Sequence, residues 1–272
     1  MESTQGAAAP YQSELDAYLA ALDRTLPDDA VAGVYLTGSV ALDDYWHGQS
    51  DLDLLTLTTR PLSDDELSAL EAMHRALEHG TQPHADAVYV RSACIGKLPA
   101  SDAVGHGYVV DGVFHRGADS QGLVTWAILD QCGVTLRGPD AASLGGAPDR
   151  DEFRAWNLGN LESYWRVQAA RMRAELAEKP LEEELPAFAP VWFGAGPGRL
   201  HRTIATGDII SKSQSLVYTA ELFPVYRELL ERAARTRAGE TSLLYTTTDG
   251  LALSDLVEEV CDGAQKLNCQ LE

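Results

Sequence analysis

Apolar residues recur along this chain with two periods, and the switches between them mark out its elements. Leu15, Tyr18, Leu19 and Leu22 follow the i, i+3, i+4, i+7 spacing of a helix over residues 12–24, which Pro27 and the Asp28-Asp29 pair end. Residues 31–36 are a continuous apolar run, read as a buried strand. A small-residue turn follows, and then a second apolar run over residues 52–57. Ser63 with Glu66 three residues on forms a capping box, and Leu67, Leu70, Met73 and Leu77 are the stripe of the helix it opens, stopped by Gly80. His74 and His79 on that helix read as surface histidines. Residues 85–90 are a β-rich run with Asp86 near its start. Residues 94–119, rich in Gly, Asp and His, read as a long loop carrying His106 and His115. Residues 123–129 resume a helix around Trp126, and residues 133–139 read as a strand stopped by Gly138-Pro139. From Arg150 the pattern is helical: acidic residues open a helix at its positive end, and Phe153, Trp156, Leu158, Leu161, Tyr164, Trp165 and Val167 line its apolar face. The pattern predicts an α/β domain over residues 1–148, ending in a linker over 140–148, and an all-α domain over 149–272.

Composition narrows the class. The chain has 272 residues, 45% of them hydrophobic, and no apolar run long enough to span a membrane. Its first ten residues lack the basic and apolar regions of a signal peptide. Cys94, Cys132, Cys261 and Cys269 show no Cys-x-x-Cys spacing and read as reduced thiols of a cytoplasmic protein. A net charge of −20 argues against a nucleic-acid partner, which needs clustered basic residues. It suits a small or cationic ligand, although acidity also serves solubility. No Walker or His-Arg-Asp kinase pattern is present, and the glycine-rich residues 191–198 do not form Gly-x-Gly-x-x-Gly.

The candidate chemistry lies between the two apolar runs. Gly38-Ser39 is followed by eleven residues and then Asp51-Leu52-Asp53. Residues i and i+2 of a strand share a face, so Asp51 and Asp53, about 7 Å apart at Cα by strand rise, are expected to converge on a divalent cation such as Mg²⁺. The glycine-serine turn offers backbone N–H groups to a phosphate. Asp86, flanked by apolar residues, is costly to bury without a metal or partner.

This Gly-Ser, Asp-x-Asp pattern resembles the signature of the polymerase-β-type nucleotidyltransferases. The resemblance implies a mixed-sheet nucleotidyltransferase fold. It makes Asp51, Asp53 and Asp86 the metal ligands, with Asp86 on the neighbouring strand either the base for the acceptor hydroxyl or a metal ligand only. Gly38, Ser39 and Ser50 become the triphosphate-binding residues. A second stretch, from Arg199 through Thr206-Gly207 to Lys212 thirteen residues on, resembles the helical-domain segment of the aminoglycoside 3″-adenylyltransferases, which modify streptomycin and spectinomycin. There an arginine and a lysine at that spacing bind the nucleotide triphosphate. The resemblance implies transfer of AMP from ATP, with Mg²⁺, to a hydroxyl of an aminoglycoside or aminocyclitol held in the cleft between the domains.

The sequence departs from that family where the drug is held. Residues 189–194 carry no carboxylate, Glu182 to Glu184 are the nearest, and Trp192 and Phe193 either stack on the acceptor or fill a core. The alternative is a non-catalytic, antitoxin-like nucleotide-binding protein, against which the three intact aspartates argue.

Overall fold

The computed structural model describes residues 9–78, 85–98, 105–110, 112–117 and 122–271. The expectations for His79, Gly80, Asp119 and the first eight residues lie outside them. The chain divides into two compact units, Met1–Ala147 and Pro148–Glu272.

In the first unit, α1 (Gln12–Thr25) leads to β1 (Val31–Leu36), a four-residue helix α2 (Gly38–Ala41), β2 (Leu52–Thr58), α3 (Asp64–Glu78) and β3 (Ala85–Arg91). A hairpin, β4 (Gly107–Val110) and β5 (Val113–Arg116), precedes α4 (Gly122–Cys132) and β6 (Val134–Arg137). These strands form one mixed sheet in the order β5-β4-β3-β2-β1-β6. Only β2 and β3 pair in parallel, and such a pair needs a crossover, which α3 supplies. The capping box that starts α3 is formed: Ser63 N–H donates to Glu66 Oε2 at 2.8 Å and Glu66 N–H donates to Ser63 Oγ at 3.3 Å. Arg60 grips the Glu66 carboxylate with both terminal guanidinium nitrogens, and these bonds, with those of Ser63, hold its pKa down to about 2.

In this first unit three sequence expectations change. The hairpin β4–β5 occupies part of the stretch read as a loop. His74 is not on the surface; it is 2% exposed, because it lies four residues after Leu70 and three before Leu77 on the stripe of α3. Its Nε2 meets the Tyr89 hydroxyl at 2.7 Å, Tyr89 meets Tyr18 at 3.0 Å, and Tyr18 meets Thr56 Oγ1 at 3.3 Å. This buried chain of hydroxyls ties α1 and α3 to β2 and β3 inside an otherwise apolar core of Leu15, Leu22, Leu52, Leu54, Leu70 and Ala87. Finally, β2 begins at Leu52, so Asp51 stands exposed at the strand entrance instead of within it.

The second unit is helical, with α5 (Arg150–Asn160), a π-helical turn at Leu161–Trp165, α6 (Arg166–Leu176), α7 (Phe188–Thr206), α8 (Lys212–Leu222), α9 (Arg227–Arg237) and α10 (Thr247–Leu271). A two-residue pair, β7 (Glu184–Leu185) with β8 (Tyr245–Thr246), departs from the all-α expectation. The glycine-rich segment lies inside α7. A Cβ on Gly196 would sit 2.0 Å from the Trp165 ring, so the bare backbone is what lets that indole pack. Phe193 is buried in this core, and Trp192 lies half-buried beside it, 4.9 Å from Trp165 between centroids. Arg166 joins α6 to α10 through Glu258 and through Asp262 at 2.9 Å. Among the described residues no helix is long and apolar enough to cross a membrane, and all four cysteines are free thiols.

Burial holds the His74 pKa at about 4, below its ordinary 6.5. A histidine kept neutral in the fold contributes stability above pH 6.5 that is lost as the unfolded chain takes up the proton. Between pH 7 and 4.5 this loss is expected to be about 2–3 kcal/mol. Denaturant unfolding of His74→Gln, which keeps a bonding partner for Tyr89 and does not titrate, should show a pH dependence smaller by that amount.

Candidate active site

The site is assembled where β1 turns into α2 and where β2 and β3 begin. The Thr37 N–H donates to the Asp53 carbonyl at 2.9 Å, which brings the end of β1 against β2. Gly38 follows with φ +55°, and a Cβ there would sit 1.8 Å from Asp53 Oδ2. Only glycine fits a left-handed position under such an approach. Ser39 N–H then donates to that same Oδ2 at 3.3 Å. The turn therefore holds the Asp53 carboxylate in place, and the Ser39 hydroxyl lies 3.5 Å from the Asp51 carbonyl.

On the other side, Asp53 pairs in register with Asp86 across the parallel β2–β3 ladder, between the pairs Leu52 with Ala85 and Leu54 with Ala87. Paired residues on adjacent strands share a face, with backbones about 4.8 Å apart. The leucines to either side of Asp53 are buried and both aspartates are half-buried, so the two carboxylates stand side by side on the opposite face. Like charges at this spacing destabilise one another unless a cation stands between them.

Ser50 is buried, and its hydroxyl accepts the Trp46 N–H at 3.1 Å. Asp44, also buried, accepts the Trp46 indole N–H at 2.9 Å. Ser50 thus braces the loop that delivers Asp51. Among the described residues no set of three or more His, Cys, Asp or Glu side chains is grouped so as to hold a metal unaided. The expected trio is a register pair, Asp53 and Asp86, with Asp51 at the entrance.

The two histidines of the stretch read as a loop make contacts within the fold. His106 is buried and its Nε2 accepts the Arg91 N–H at 3.3 Å, and His115 stacks on Tyr108 at 5.0 Å. In the second unit, Arg199 lies on α7, which Gly207 ends in a left-handed cap. Lys212 is the first residue of α8, held by the Ser211–Gln214 capping box. Both cations are half-buried. The acidity is unevenly divided: residues 1–147 hold 7 Lys or Arg against 21 Asp or Glu, a net −14, and residues 148–272 hold 14 against 20, a net −6.

A strand, a glycine-serine turn and carboxylates paired across neighbouring strands make up the candidate site. Residues 16–105, within the first unit, match the family model of the nucleotidyltransferase domain. Over its length the chain is similar in fold to spectinomycin adenyltransferase AAD(9) from Enterococcus faecialis, whose crystal structure was determined with ATP and spectinomycin. The TM-score is 0.66 at 16% sequence identity, over 92% of this chain and 99% of that one. No curated protein sequence matches the chain.

Gly38→Ala would strain a left-handed position and push Asp53 off the Ser39 N–H. The expected loss is about 1–2 kcal/mol of unfolding free energy, measured by denaturant titration.

Proposed function

We propose that the protein is a magnesium-dependent adenylyltransferase of the cytoplasm. It would move AMP from ATP to a hydroxyl of a small cationic acceptor, an aminoglycoside or aminocyclitol, and release pyrophosphate. The observation that carries this reading is the register pairing of Asp53 with Asp86 beside the Gly38-Ser39 turn. Hard carboxylate oxygens in a pair fit Mg²⁺, which takes one or two carboxylates and completes its shell with waters and phosphate oxygens. Asp53 and Asp86 would hold it, joined by Asp51 from the strand entrance. When bound, magnesium polarises the α-phosphate and neutralises charge on the departing pyrophosphate.

The chain's own residues do the rest. Asp86 takes the proton of the acceptor hydroxyl. The acceptor oxygen bonds to the α-phosphorus as the bond to the bridging oxygen of pyrophosphate breaks. The Gly38-Ser39 turn fixes Asp53 and presents the Ser39 hydroxyl to the phosphates. Arg199 and Lys212 supply cationic charge to the triphosphate. Positioning and charge neutralisation carry most of the acceleration in such transfers.

The net −14 of the first unit favours a cationic acceptor and disfavours nucleic acid. Spectinomycin, bound by the structural relative together with ATP, is the first acceptor to test.

The assay is pyrophosphate release from ATP and Mg²⁺ with spectinomycin, streptomycin and other hydroxylated amines. Removing residues that merely support a metal ligand costs 10–100-fold, so Asp53→Ala is expected to lower turnover by at least about 100-fold. Turnover unchanged in that variant would remove Asp53 from the chemistry. ATP binding that ignores Mg²⁺, with no turnover on any acceptor, would favour a non-catalytic nucleotide-binding protein.

A further inference from the structure

Eleven residues separate Ser39 from Asp51, and the way the chain leaves α2 governs how they fold back. Among the described residues, Asp43 is the one non-glycine with positive φ, at +51°. Its N–H donates to the Val40 carbonyl at 3.2 Å, and the Asp44 N–H donates to the Ser39 carbonyl at 2.9 Å. This pair of bonds makes a left-handed helix end of the kind usually built on glycine. A side chain is strained in that conformation. Such strain persists only where the surroundings enforce it, as they do around active sites.

Asp44 anchors this turn on both sides. It is 7% exposed, and a carboxylate is costly to bury unless it is bonded. Its Oδ1 accepts the Trp46 indole N–H at 2.9 Å. Trp46 in turn donates its backbone N–H to Ser50 Oγ at 3.1 Å, and its carbonyl accepts the Ser50 N–H at 2.9 Å. Asp44 therefore reaches Ser39 through its backbone, and through Trp46 it reaches Ser50, the neighbour of Asp51. The Trp46 residue is 38% exposed, so its bond to Asp44 orders a surface loop and does not fill a core.

We propose that Asp44 is a positioning residue: acting through Trp46 and Ser50, its carboxylate holds Asp51 in place relative to the Gly38-Ser39 turn. The proposal rests on the adenylyl-transfer reading, in which Asp51 joins the metal ligands and Ser39 faces the phosphates. Asp44 needs no contact of its own with metal or nucleotide. Groups that orient a metal ligand affect metal affinity through that ligand alone.

The test is Mn²⁺ affinity of the whole protein, by calorimetry with a non-hydrolysable ATP analogue, alongside KM for ATP in pyrophosphate release with spectinomycin. Trp46→Phe keeps a ring and deletes the indole donor, and Asp44→Ala deletes the acceptor. Each is expected to weaken Mn²⁺ binding about 10-fold, the lower end of the cost of a lost partner to a metal ligand, and to raise KM for ATP. Asp44→Asn keeps an acceptor oxygen for the indole and should restore most of the affinity that Asp44→Ala loses. Trp46→Phe changes an exposed ring, so it decides the matter if Asp44→Ala does not fold. Mn²⁺ affinity and KM at wild-type values in Trp46→Phe, with at most a lower melting temperature, would leave the bond merely structural and overturn the proposal. An Asp44→Asn as weak as Asp44→Ala would overturn it as well, since the charge and not the bond would then matter. The two readings fail separately. Mn²⁺ binding that depends on Trp46, in a protein that releases no pyrophosphate, keeps the positioning role and sinks the transferase. Release that Asp53→Ala abolishes and Trp46→Phe leaves untouched keeps the transferase and sinks the positioning role.

Discussion

Parallel pairing between β2 and β3 sets Asp53 beside Asp86, and the rest of the site follows from what keeps that register. A slip of one residue would move one aspartate to the opposite face. The same ladder pairs Thr56 with Tyr89, three positions further on. There the buried chain of Tyr18, Thr56, Tyr89 and His74 ties both strands to α1 and α3. Polar groups inside an apolar core are costly unless bonded, so any other register would leave these hydroxyls unmatched. The network on one face of the sheet thereby fixes the carboxylate pair on the other.

The charge that this pairing concentrates is met locally by a backbone donor. Gly38 lets the backbone come under the Asp53 carboxylate, and Ser39 donates its N–H there. That bond engages one oxygen of one aspartate and leaves the repulsion between the pair for a cation to relieve. The uneven division of acidic residues between the units extends the same field outward, toward positively charged small molecules.

Much of this was legible in the chain. The apolar runs gave β1, β2 and β3, the capping box gave the start of α3, and Gly38-Ser39 with Asp51, Asp53 and Asp86 gave the candidate site, because each depends on neighbours close in sequence or on a period of two. The hairpin β4–β5 carried a signal as well, the Asp111-Gly112 pair between Tyr108-Val109-Val110 and Val113-Phe114, a strong mark of a tight turn. His74 likewise sits on the helical stripe that marked its apolar neighbours, and its five-residue spacing from His79, wrong for a shared metal, suggested the surface. Other features depend on partners distant in sequence. Gly196 is bare because Trp165 packs on it, and Gly198 because the Thr219 and Ser215 hydroxyls do. No local pattern encodes either.

The central claim is that Asp53 and Asp86 act as one cation-binding pair, and electron paramagnetic resonance of Mn²⁺, standing in for Mg²⁺, tests it most directly. With a non-hydrolysable ATP analogue present, the wild type should bind Mn²⁺, and Asp53→Asn and Asp86→Asn should each weaken that binding by at least about 10-fold, the lower end of what a lost supporting interaction costs. Mn²⁺ affinity retained in both variants would contradict the account.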